Sequence, residues 1–437
     1  MDHGSASDTG NVPGLFERLR SRGVVEQATP EIEAGALDRE RLTAYCGFDP
    51  TASSLHVGTL VPILGLVRLQ RAGHRPIAVV GGGTGLIGDP SGKTTERQLL
   101  TRETIEENVE GIRAQLARFL DFDARDNPAV LVNNAEWLCS FSLIDFLRDI
   151  GKHFRVNAML QKESVRSRIE DREHGMSFTE FSYMLLQAAD YLHLYDRFGC
   201  SLQIGGSDQW GNITAGIDLV RRLRGGRAHG MTFPLLKTSS GGKFGKTEAG
   251  TVWLDAARTS PYEMYQFWVR TDDRDVMSYL RTFTLLEDER LGELEAALSR
   301  DPGAREAQRA LAREVTALVH GETEADKAIR ASQVLFGAPL DGLDEATILG
   351  IFADVPSIDL SRESLAGEGW PLVDALVSAG LCKSKGEARR LVQGGGVYLN
   401  NHRVGSAEAR LTTDTLASES TAVLRSGKKS YVLVRVR

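Results

Sequence analysis

Between residues 40 and 225, short β-rich apolar runs alternate with longer stretches whose apolar residues recur at helical spacing, which predicts parallel α/β architecture. The strand candidates are Ala44 to Phe48, Pro76 to Val80, Ala129 to Val132 and Ser201 to Ile204. Helix candidates lie between and after them: Leu55 to Arg71, capped by Ser53 or Ser54, then Thr101 to Leu120, Leu143 to Met159, Thr179 to Tyr195 and Trp210 to Leu223. Glycine and serine crowd Ser239 to Gly250, which reads as a mobile loop. From Pro261 to about Phe352 the pattern is helical, with Arg305 to Arg313 and Glu314 to Ala331 rich in Ala, Glu, Arg and Leu. Asp354 to Gly369 reads as a linker, and Pro371 to Arg437 as a compact tail of two helical stretches followed by β-type segments, among them Val397 to Leu399 and Tyr431 to Val436.

At roughly 150 residues per domain, 437 residues predict about three domains. With 41% hydrophobic and 25% charged residues the chain is globular rather than disordered or fibrous. The longest apolar run, Leu60 to Val67, contains a proline and a glycine and is far too short to cross a bilayer, so no membrane partner is expected. The first residues resemble neither a signal nor a transit peptide, which predicts a cytoplasmic protein. Cys46, Cys139, Cys200 and Cys382 are widely spaced, without the pairing that marks a zinc knuckle or redox motif, and are expected to be reduced. A net charge of −7 argues against nucleic acid for the chain as a whole. The tail changes that picture. Pro371 to Arg437 carries eleven basic and five acidic residues, a net charge of +6, against −13 for the rest.

The run Gly81 to Thr94 follows a strand and imitates two phosphate-binding loops. Gly83, Gly85 and Gly88 fit G-x-G-x-x-G, but Pro90 and Gly92 interrupt the helix that a dinucleotide fingerprint must open. Between Gly88 and Gly92 there are three residues, where a nucleotide P-loop needs four. What remains is either a set of glycines that permit tight turns and packing, or a flexible loop ending in a cation, Lys93, with Asp89 beside it.

Tyr45-Cys46-Gly47-Phe48-Asp49-Pro50-Thr51-Ala52-Ser53-Ser54-Leu55-His56-Val57-Gly58-Thr59 reads as strand, loop and helix start, with His56 and Gly58 in the first turn, where free N–H groups favour phosphate. Lys243-Phe244-Gly245-Lys246-Thr247 sets two lysines on the glycine-rich loop, able to close on a polyphosphate or simply to face solvent. Ser177 and Glu180 form a capping box, and on the helix behind it Tyr183, Gln187 and Asp190 share one face amid apolar neighbours. By itself such a stripe is an ordinary solvated face. Gln203 to Trp210 makes a strand-end turn of the kind that holds ligands in open α/β sheets.

In combination and in this order, these blocks resemble the bacterial-type tyrosyl-tRNA synthetases, a family of class I aminoacyl-tRNA synthetases. The resemblance runs through Tyr45 to Gly58, Gly83 to Lys93, Phe178 to Tyr195, Gln203 to Ile213, Lys243 to Thr247 and the tail. It departs at Thr59, where the class signature usually has a second histidine.

The resemblance implies a Rossmann-like parallel-sheet catalytic domain at 1–240 with an inserted helical dimer-interface segment at about 100–200, and a lysine loop at 241–260. An α-helical tRNA-binding domain at 261–352, a linker at 353–370 and a small α+β RNA-binding domain at 371–437 would follow. It implies activation of L-tyrosine by ATP with Mg²⁺, with no protein-bound metal, and transfer to tRNA(Tyr) by a homodimer joined through Phe141 to Leu160. Tyr183, Gln187 and Asp89 would hold the α-ammonium, Asp190 and Tyr45 the phenolic hydroxyl, and Gln203 and Gln209 would orient the amino acid. Asp208, Gly206 and Gly47 would contact ribose, with Asp49 near the adenylate and Gly58 and Thr247 among the ATP contacts. Thr51, His56, Lys93, Arg97, Lys243 and Lys246 would stabilise charge on the leaving pyrophosphate. A tryptophan-specific sibling and a non-catalytic RNA-binding protein on a synthetase scaffold remain as alternatives. An indole gives no reason for the Tyr45 and Asp190 pair, and the lysine loop and His56 are intact.

Overall fold

A computed structural model describes residues 13–91, 99–170, 175–239, 241–242, 244–247, 250–335, 337–353, 355–427 and 430–437. In chain order the elements are α1 (Leu15–Ser21), β1 (Gln27–Ala28), α2 (Pro30–Glu33), α3 (Ala36–Arg39), β2 (Thr43–Phe48), α4 (Leu60–Arg71), β3 (Arg75–Val80), α5 (Arg102–Leu116), β4 (Val130–Asn133), α6 (Ala135–Leu138) and α7 (Leu143–Asp149). Then come α8 (Val156–Leu160), α9 (Glu163–Glu170), α10 (Phe178–Phe198), β5 (Cys200–Gly206), α11 (Trp210–Arg224), β6 (His229–Phe233), β7 (Lys246–Thr247), β8 (Gly250–Thr251), α12 (Pro261–Val269), α13 (Val276–Phe283), α14 (Asp288–Arg300), α15 (Glu306–His320), α16 (Glu322–Leu335) and α17 (Glu345–Ile351). The remainder is β9 (Ser357–Leu360), β10 (Trp370–Pro371), α18 (Leu372–Ser378), α19 (Lys385–Gln393), β11 (Val397–Leu399), β12 (His402–Arg403), β13 (Arg410–Leu411), β14 (Thr421–Ser426) and β15 (Ser430–Val436). The chain divides into two compact units, 1–259 with 271–311, and 260–270 with 312–437.

The first unit is built on one sheet of order β1-β6-β5-β2-β3-β4, parallel except for β1. Helices cover both faces of such a sheet, so its central strands read as continuous apolar runs. In β3 every residue after Arg75 is buried. From β2 the chain winds one way through β3 and β4, and the other way through β5 and β6. The carboxyl ends of β2 and β5 therefore flank the switch point, where an open α/β sheet leaves a crevice.

Several boundaries differ from the sequence expectation, each for a local reason. Ser53 and Ser54 do not cap the helix before Arg71. His56 caps a short 3₁₀ turn, Val57–Thr59, and α4 starts only at Leu60. The single helix expected from Leu143 to Met159 is broken into α7 and α8 by a turn at Gly151–His153. Within the helical region expected from Pro261 to about Phe352, α15 and α16 part at Gly321, whose φ of 91° ends α15.

In the second unit a five-stranded sheet of order β12-β11-β14-β15-β9 has two apolar faces. Ala422, Leu424, Val434 and Val436 pack with α18 and α19, while Val423 and Leu433 pack with Ala331, Val334, Ile348 and Phe352 from α16 to α17. Residues 353–370 are thus not a free linker, because β9 pairs in parallel with β15 from Ser357↔Leu433 to Leu360↔Val436. The Asn401 side chain adds to this by donating to the carbonyls of Val334 (2.7 Å) and Ala338 (2.8 Å).

Candidate active site

Over the carboxyl ends of β2 and β5 lies a cavity of about 390 Å³. Thirteen of the predicted residues line it: Tyr45, Gly47, Asp49, His56, Gly58, Asp89, Tyr183, Gln187, Asp190, Gln203, Gly206, Asp208 and Gln209. Thr51 does not; it lies two residues beyond Asp49, exposed, with its N–H donating to the Asp49 carbonyl. Lys93, Arg97 and Lys243 lie outside the described residues, and Lys246 and Thr247 are described by their backbone in β7.

The floor is an acid in an apolar setting. α10 is fixed by the predicted capping box, the Ser177 hydroxyl accepting from the Glu180 N–H at 3.2 Å, and by a buried fork between Arg168 and Glu180 at 2.9 and 3.0 Å. Three turns along it, Asp190 is buried and held by two donors, Trp137 Nε1 at 2.7 Å and Asn134 Nδ2 at 2.9 Å. Burial raises its pKa to about 8, against the two hydrogen bonds that lower it, and the Asp49 charge adds to the rise. Tyr45 is buried nearby with no partner for its hydroxyl, its ring edge-on to Tyr191 at 5.1 Å. Burial and then the Asp190 charge raise its pKa well above the usual phenol value. Gln203 Oε1 is also buried without a partner. A hydroxyl and an amide oxygen left unmatched beside a carboxylate are costly by themselves, and suited to a ligand carrying matching polar groups.

One wall is a mesh of acids and amides. Tyr183 donates to Asp49 Oδ2 and Thr84 to Asp49 Oδ1, both at 2.8 Å. Gln209 donates to Asp89 Oδ2 at 2.7 Å, and Asn212 donates to Gln187 Oε1 at 3.0 Å. Burial and then the charges of Asp49 and Asp89 raise the Tyr183 pKa well above normal, so its hydroxyl stays protonated. The Asp49 and Asp89 carboxylates beside this phenol give this end a negative field, which favours an ammonium group.

At Gly82 and Gly83 the glycine run makes close packing possible. A Cβ at Gly82 would come within 2.3 Å of Asn133 Oδ1, and Asn134 Oδ1 accepts the Gly83 N–H at 2.8 Å. Asn134 and Trp137 were not expected from the sequence. The available signal was an Asn-Asn pair directly after a strand, followed by a tryptophan one turn later.

At the mouth, His56 Nδ1 accepts the Gly58 N–H at 3.0 Å, so the neutral ring carries its proton on Nε2. Thr59 closes the turn, its hydroxyl accepting from the His56 N–H at 3.2 Å and donating to the His56 carbonyl at 2.6 Å. A Cβ at Gly58 would meet the His56 ring at 2.8 Å and displace it from this turn. At Gly47 a Cβ would meet nothing within 4 Å. No group of three or more His, Cys, Asp or Glu among the described residues is placed to hold a metal ion, and no described helix is long and apolar enough to cross a membrane.

A profile of the family described as class I tRNA synthetases for W and Y matches residues 37–337, and one for the tyrosine–tRNA ligase SYY-like C-terminal domain matches 347–434. The chain is similar to the tyrosine–tRNA ligase of Roseiflexus castenholzii, 54% identical over 97% of this chain and 99% of that one. With the tyrosine–tRNA ligase of Bacillus caldotenax it shares 54% identity over 96% and 99%. Among solved structures, a C-terminally truncated mitochondrial tyrosyl-tRNA synthetase of Aspergillus nidulans superposes with a TM-score of 0.68 at 32% identity, covering 75% of this chain and 95% of that one.

Proposed function

The chain belongs to the class I tRNA synthetases and, within them, to the tyrosine–tRNA ligases, and from that premise we propose how its cavity divides the work. It activates L-tyrosine with ATP to tyrosyl-adenylate and pyrophosphate, then passes tyrosine to the terminal ribose of tRNA(Tyr). The phenolic hydroxyl binds at Tyr45 and Asp190. The observation that carries this is the Asp190 carboxylate, oriented by Trp137 and Asn134, beside a Tyr45 hydroxyl without a partner. Phenylalanine in that position would leave the Tyr45 hydroxyl unmatched and bring Asp190 no donor, at a cost of about 1–3 kcal/mol for an unmatched buried group. Tyr183, Gln187 and Asp89 cradle the α-ammonium, Gln203 and Gln209 orient the backbone of the amino acid, and Gly47, Gly206 and Asp208 face ribose, with Asp49 near the adenylate.

In activation, a carboxylate oxygen of tyrosine bonds to the α-phosphorus of ATP. The bond from that phosphorus to the bridging oxygen breaks, and its electron pair leaves with pyrophosphate. The attacking group is ionised at neutral pH, so no general base is required. Catalysis is positioning and charge stabilisation. His56, through its Nε2–H, acts with Thr51, Lys93, Arg97, Lys243 and Lys246 on the phosphates, and Gly58 and Thr247 complete the nucleotide contacts. Mg²⁺ arrives with ATP as part of that substrate. In transfer, a terminal ribose hydroxyl of tRNA bonds to the tyrosyl carbonyl carbon, the bond from that carbon to the AMP phosphate oxygen breaks with its electron pair leaving on AMP, and the hydroxyl proton passes to the departing phosphate or to solvent.

The reaction belongs to the cytoplasm, where tRNA and ATP meet. The domain roles follow the same reading: catalysis at 1–240, the lysine loop at 241–260, tRNA contact at 261–352 and RNA binding at 371–437. A homodimer forms across Phe141 to Leu160, where Leu143 and Ile144 are exposed.

Pyrophosphate exchange with tyrosine, phenylalanine and tryptophan tests the assignment. Exchange is expected with tyrosine alone, and Lys246→Ala should slow single-turnover adenylate formation about 100-fold with little change in tyrosine affinity. Equal exchange with tryptophan, or a Lys246→Ala variant at the normal rate, would count against it.

A further inference from the structure

Phe244 lies between the two lysines of the loop, yet its ring is not spent on solvent. It lines the cavity, and its centroid is 5.0 Å from that of Tyr279 and 5.1 Å from that of Phe283, edge-on to the first and stacked on the second. Both partners belong to α13. We propose that α13 is the seat of the lysine loop, and that Phe244 is the positioning residue that sets the loop's register on the nucleotide for the activation step.

Three further contacts make this seat a fixed one. Asp275, immediately before α13, accepts from both the N–H and the hydroxyl of Ser239, each at 3.0 Å, which ties down the approach to the loop. At the other end of α13, Arg68 Nη2 donates to the carbonyls of Arg281, Thr282 and Thr284 at 3.0, 2.8 and 3.0 Å. Arg68 sits on α4, the helix that begins at the His56 turn, so one rigid element carries His56 at its start and holds α13 near its end. The exit from the loop is tied to the same turn. Gly245 accepts from the Val252 N–H at 3.1 Å, Val252 accepts from the Val57 N–H at 3.0 Å, and Leu254 donates to the Leu55 carbonyl at 2.8 Å.

Phe244 and Gly245 are therefore gripped from both sides, the ring by α13 and the Gly245 carbonyl by Val252, in the segment after β8 that bridges to His56. Gly245 has φ 81°, and a Cβ there would touch Val57 Cγ2 at 3.0 Å, so the close approach depends on glycine. The backbone of Lys246, which opens β7, starts from this anchored pair. Removing the ring leaves Lys246 in the sequence but withdraws what fixes the backbone that carries it relative to the His56 turn. The loss falls on the transition state, where preorganised charge matters, and spares tyrosine, which binds elsewhere in the cavity.

The inference rests on the reading that Lys246 acts on the phosphates of ATP, so Lys246→Ala is measured beside it. With the full chain, Phe244→Ala is expected to lower the single-turnover rate of tyrosyl-adenylate formation at saturating ATP by about 10-fold or more. Tyrosine affinity and the melting temperature should stay as in the parent. Phe244→Tyr, which keeps the ring, should recover most of the rate, and Asp275→Asn, which weakens the Ser239 tie, should lower it in the same sense. A parental rate for Phe244→Ala beside a slow Lys246→Ala would overturn the proposal while leaving the ATP reading intact. So would a Phe244→Tyr variant as slow as Phe244→Ala, or a fall in tyrosine affinity and melting temperature that accounts for the lost rate. A parental rate for Lys246→Ala would overturn the ATP reading and this inference with it.

Discussion

At Asp190 three effects compete: burial drives the carboxyl towards its neutral form, the N–H groups of Asn134 and Trp137 favour the ion, and Asp49 opposes it. With a pKa near 8, the folded ligand-free protein binds a proton there that the unfolded chain releases above pH ~4, so this group's contribution to stability falls as pH rises from ~4 to about 8. Tyrosine donates its phenolic O–H to the ionised form and lowers that pKa on binding, whereas phenylalanine does not. The ratio of tyrosine to phenylalanine affinity should therefore rise with pH up to about 8 and level off above it. Taking the ratio cancels the titration of the ammonium that both ligands carry. Trp137→Phe removes one of the donors, so the rise should move to higher pH and tyrosine affinity near pH 7 should weaken about 10-fold or more, since a hydrogen bond to a charged group contributes ~1.5–3 kcal/mol. Equilibrium binding of both amino acids from pH 6 to 9 checks this, and a flat ratio in both proteins would refute it. Asp190 belongs to a polar stripe that by itself reads as a solvated face; only the family resemblance marked it as a ligand contact, and the fold buries it in the cavity. Trp137 and Asn134 were not legible in the sequence, because their role depends on where β4 lies against β3 and α10, which no local pattern encodes.

Among the elements, the expected strands are present, but β6, which completes the parallel part of the sheet, and the N-terminal elements α1 to α3 and β1 were not anticipated, and most helix ends shifted. Val397–Leu399 matches its expectation residue for residue, whereas Cys200–Gly206 runs beyond Ser201 to Ile204 into the turn that meets the ligand cavity. The start of α4 was misjudged because an N-cap is recognised by its side-chain acceptor, and His56 Nδ1 takes that role in place of either serine. Thr59 is part of the same turn, so the residue standing at the second histidine of the class signature supports the first one. α7 shows the converse limit. Its apolar periodicity predicts a helix correctly, but none of its residues is buried, and Leu143 and Ile144 are 72% and 68% exposed. Val156 and Leu160 on α8 are exposed as well. A helix with an apolar face finds its burial in a partner, and the proposed homodimer would supply one. Sedimentation at micromolar concentration should give twice the 47.8 kDa of one chain. Leu143→Glu combined with Ile144→Glu should halve that mass, because two carboxylates would then face their symmetry mates across the seam. A parent protein that sediments as 47.8 kDa would rule the interface out.

For the whole molecule, net charge misled until it was divided between body and tail, and the structure divides it once more. Of the basic residues after Pro371, Arg425 is buried with its guanidinium 3.7 Å from the Tyr398 ring centre, a structural use of charge. Lys385, Arg410 and Arg437 are engaged by Asp374, Glu368 and Asp359 at 2.8, 3.0 and 3.1 Å. Lys383, Arg389, Arg390, Arg403 and Arg435 are exposed and make no ion pair with the described residues. Lys428 and Lys429 lie outside the described residues; among the described ones, this smaller set is what an RNA phosphate backbone would meet, with Arg389 and Arg390 consecutive on α19. Because the sheet below α19 also packs on α16 and α17, these cations belong to a framework that reaches back to Ala331 rather than to a loosely tethered appendage. Arg389→Glu with Arg390→Glu should therefore raise the KM for tRNA about 10-fold or more and flatten its salt dependence by about one unit of slope for each phosphate no longer neutralised. Tyrosine-dependent pyrophosphate exchange, which needs no tRNA, should be unchanged. Arg425→Ala should behave differently, lowering the melting temperature, since it empties a buried site beneath Tyr398. If the double charge reversal on α19 left tRNA charging untouched at every ionic strength, the tail's exposed cations would not be where RNA binds. If it depressed exchange and charging equally, the tail would belong to the catalytic fold instead.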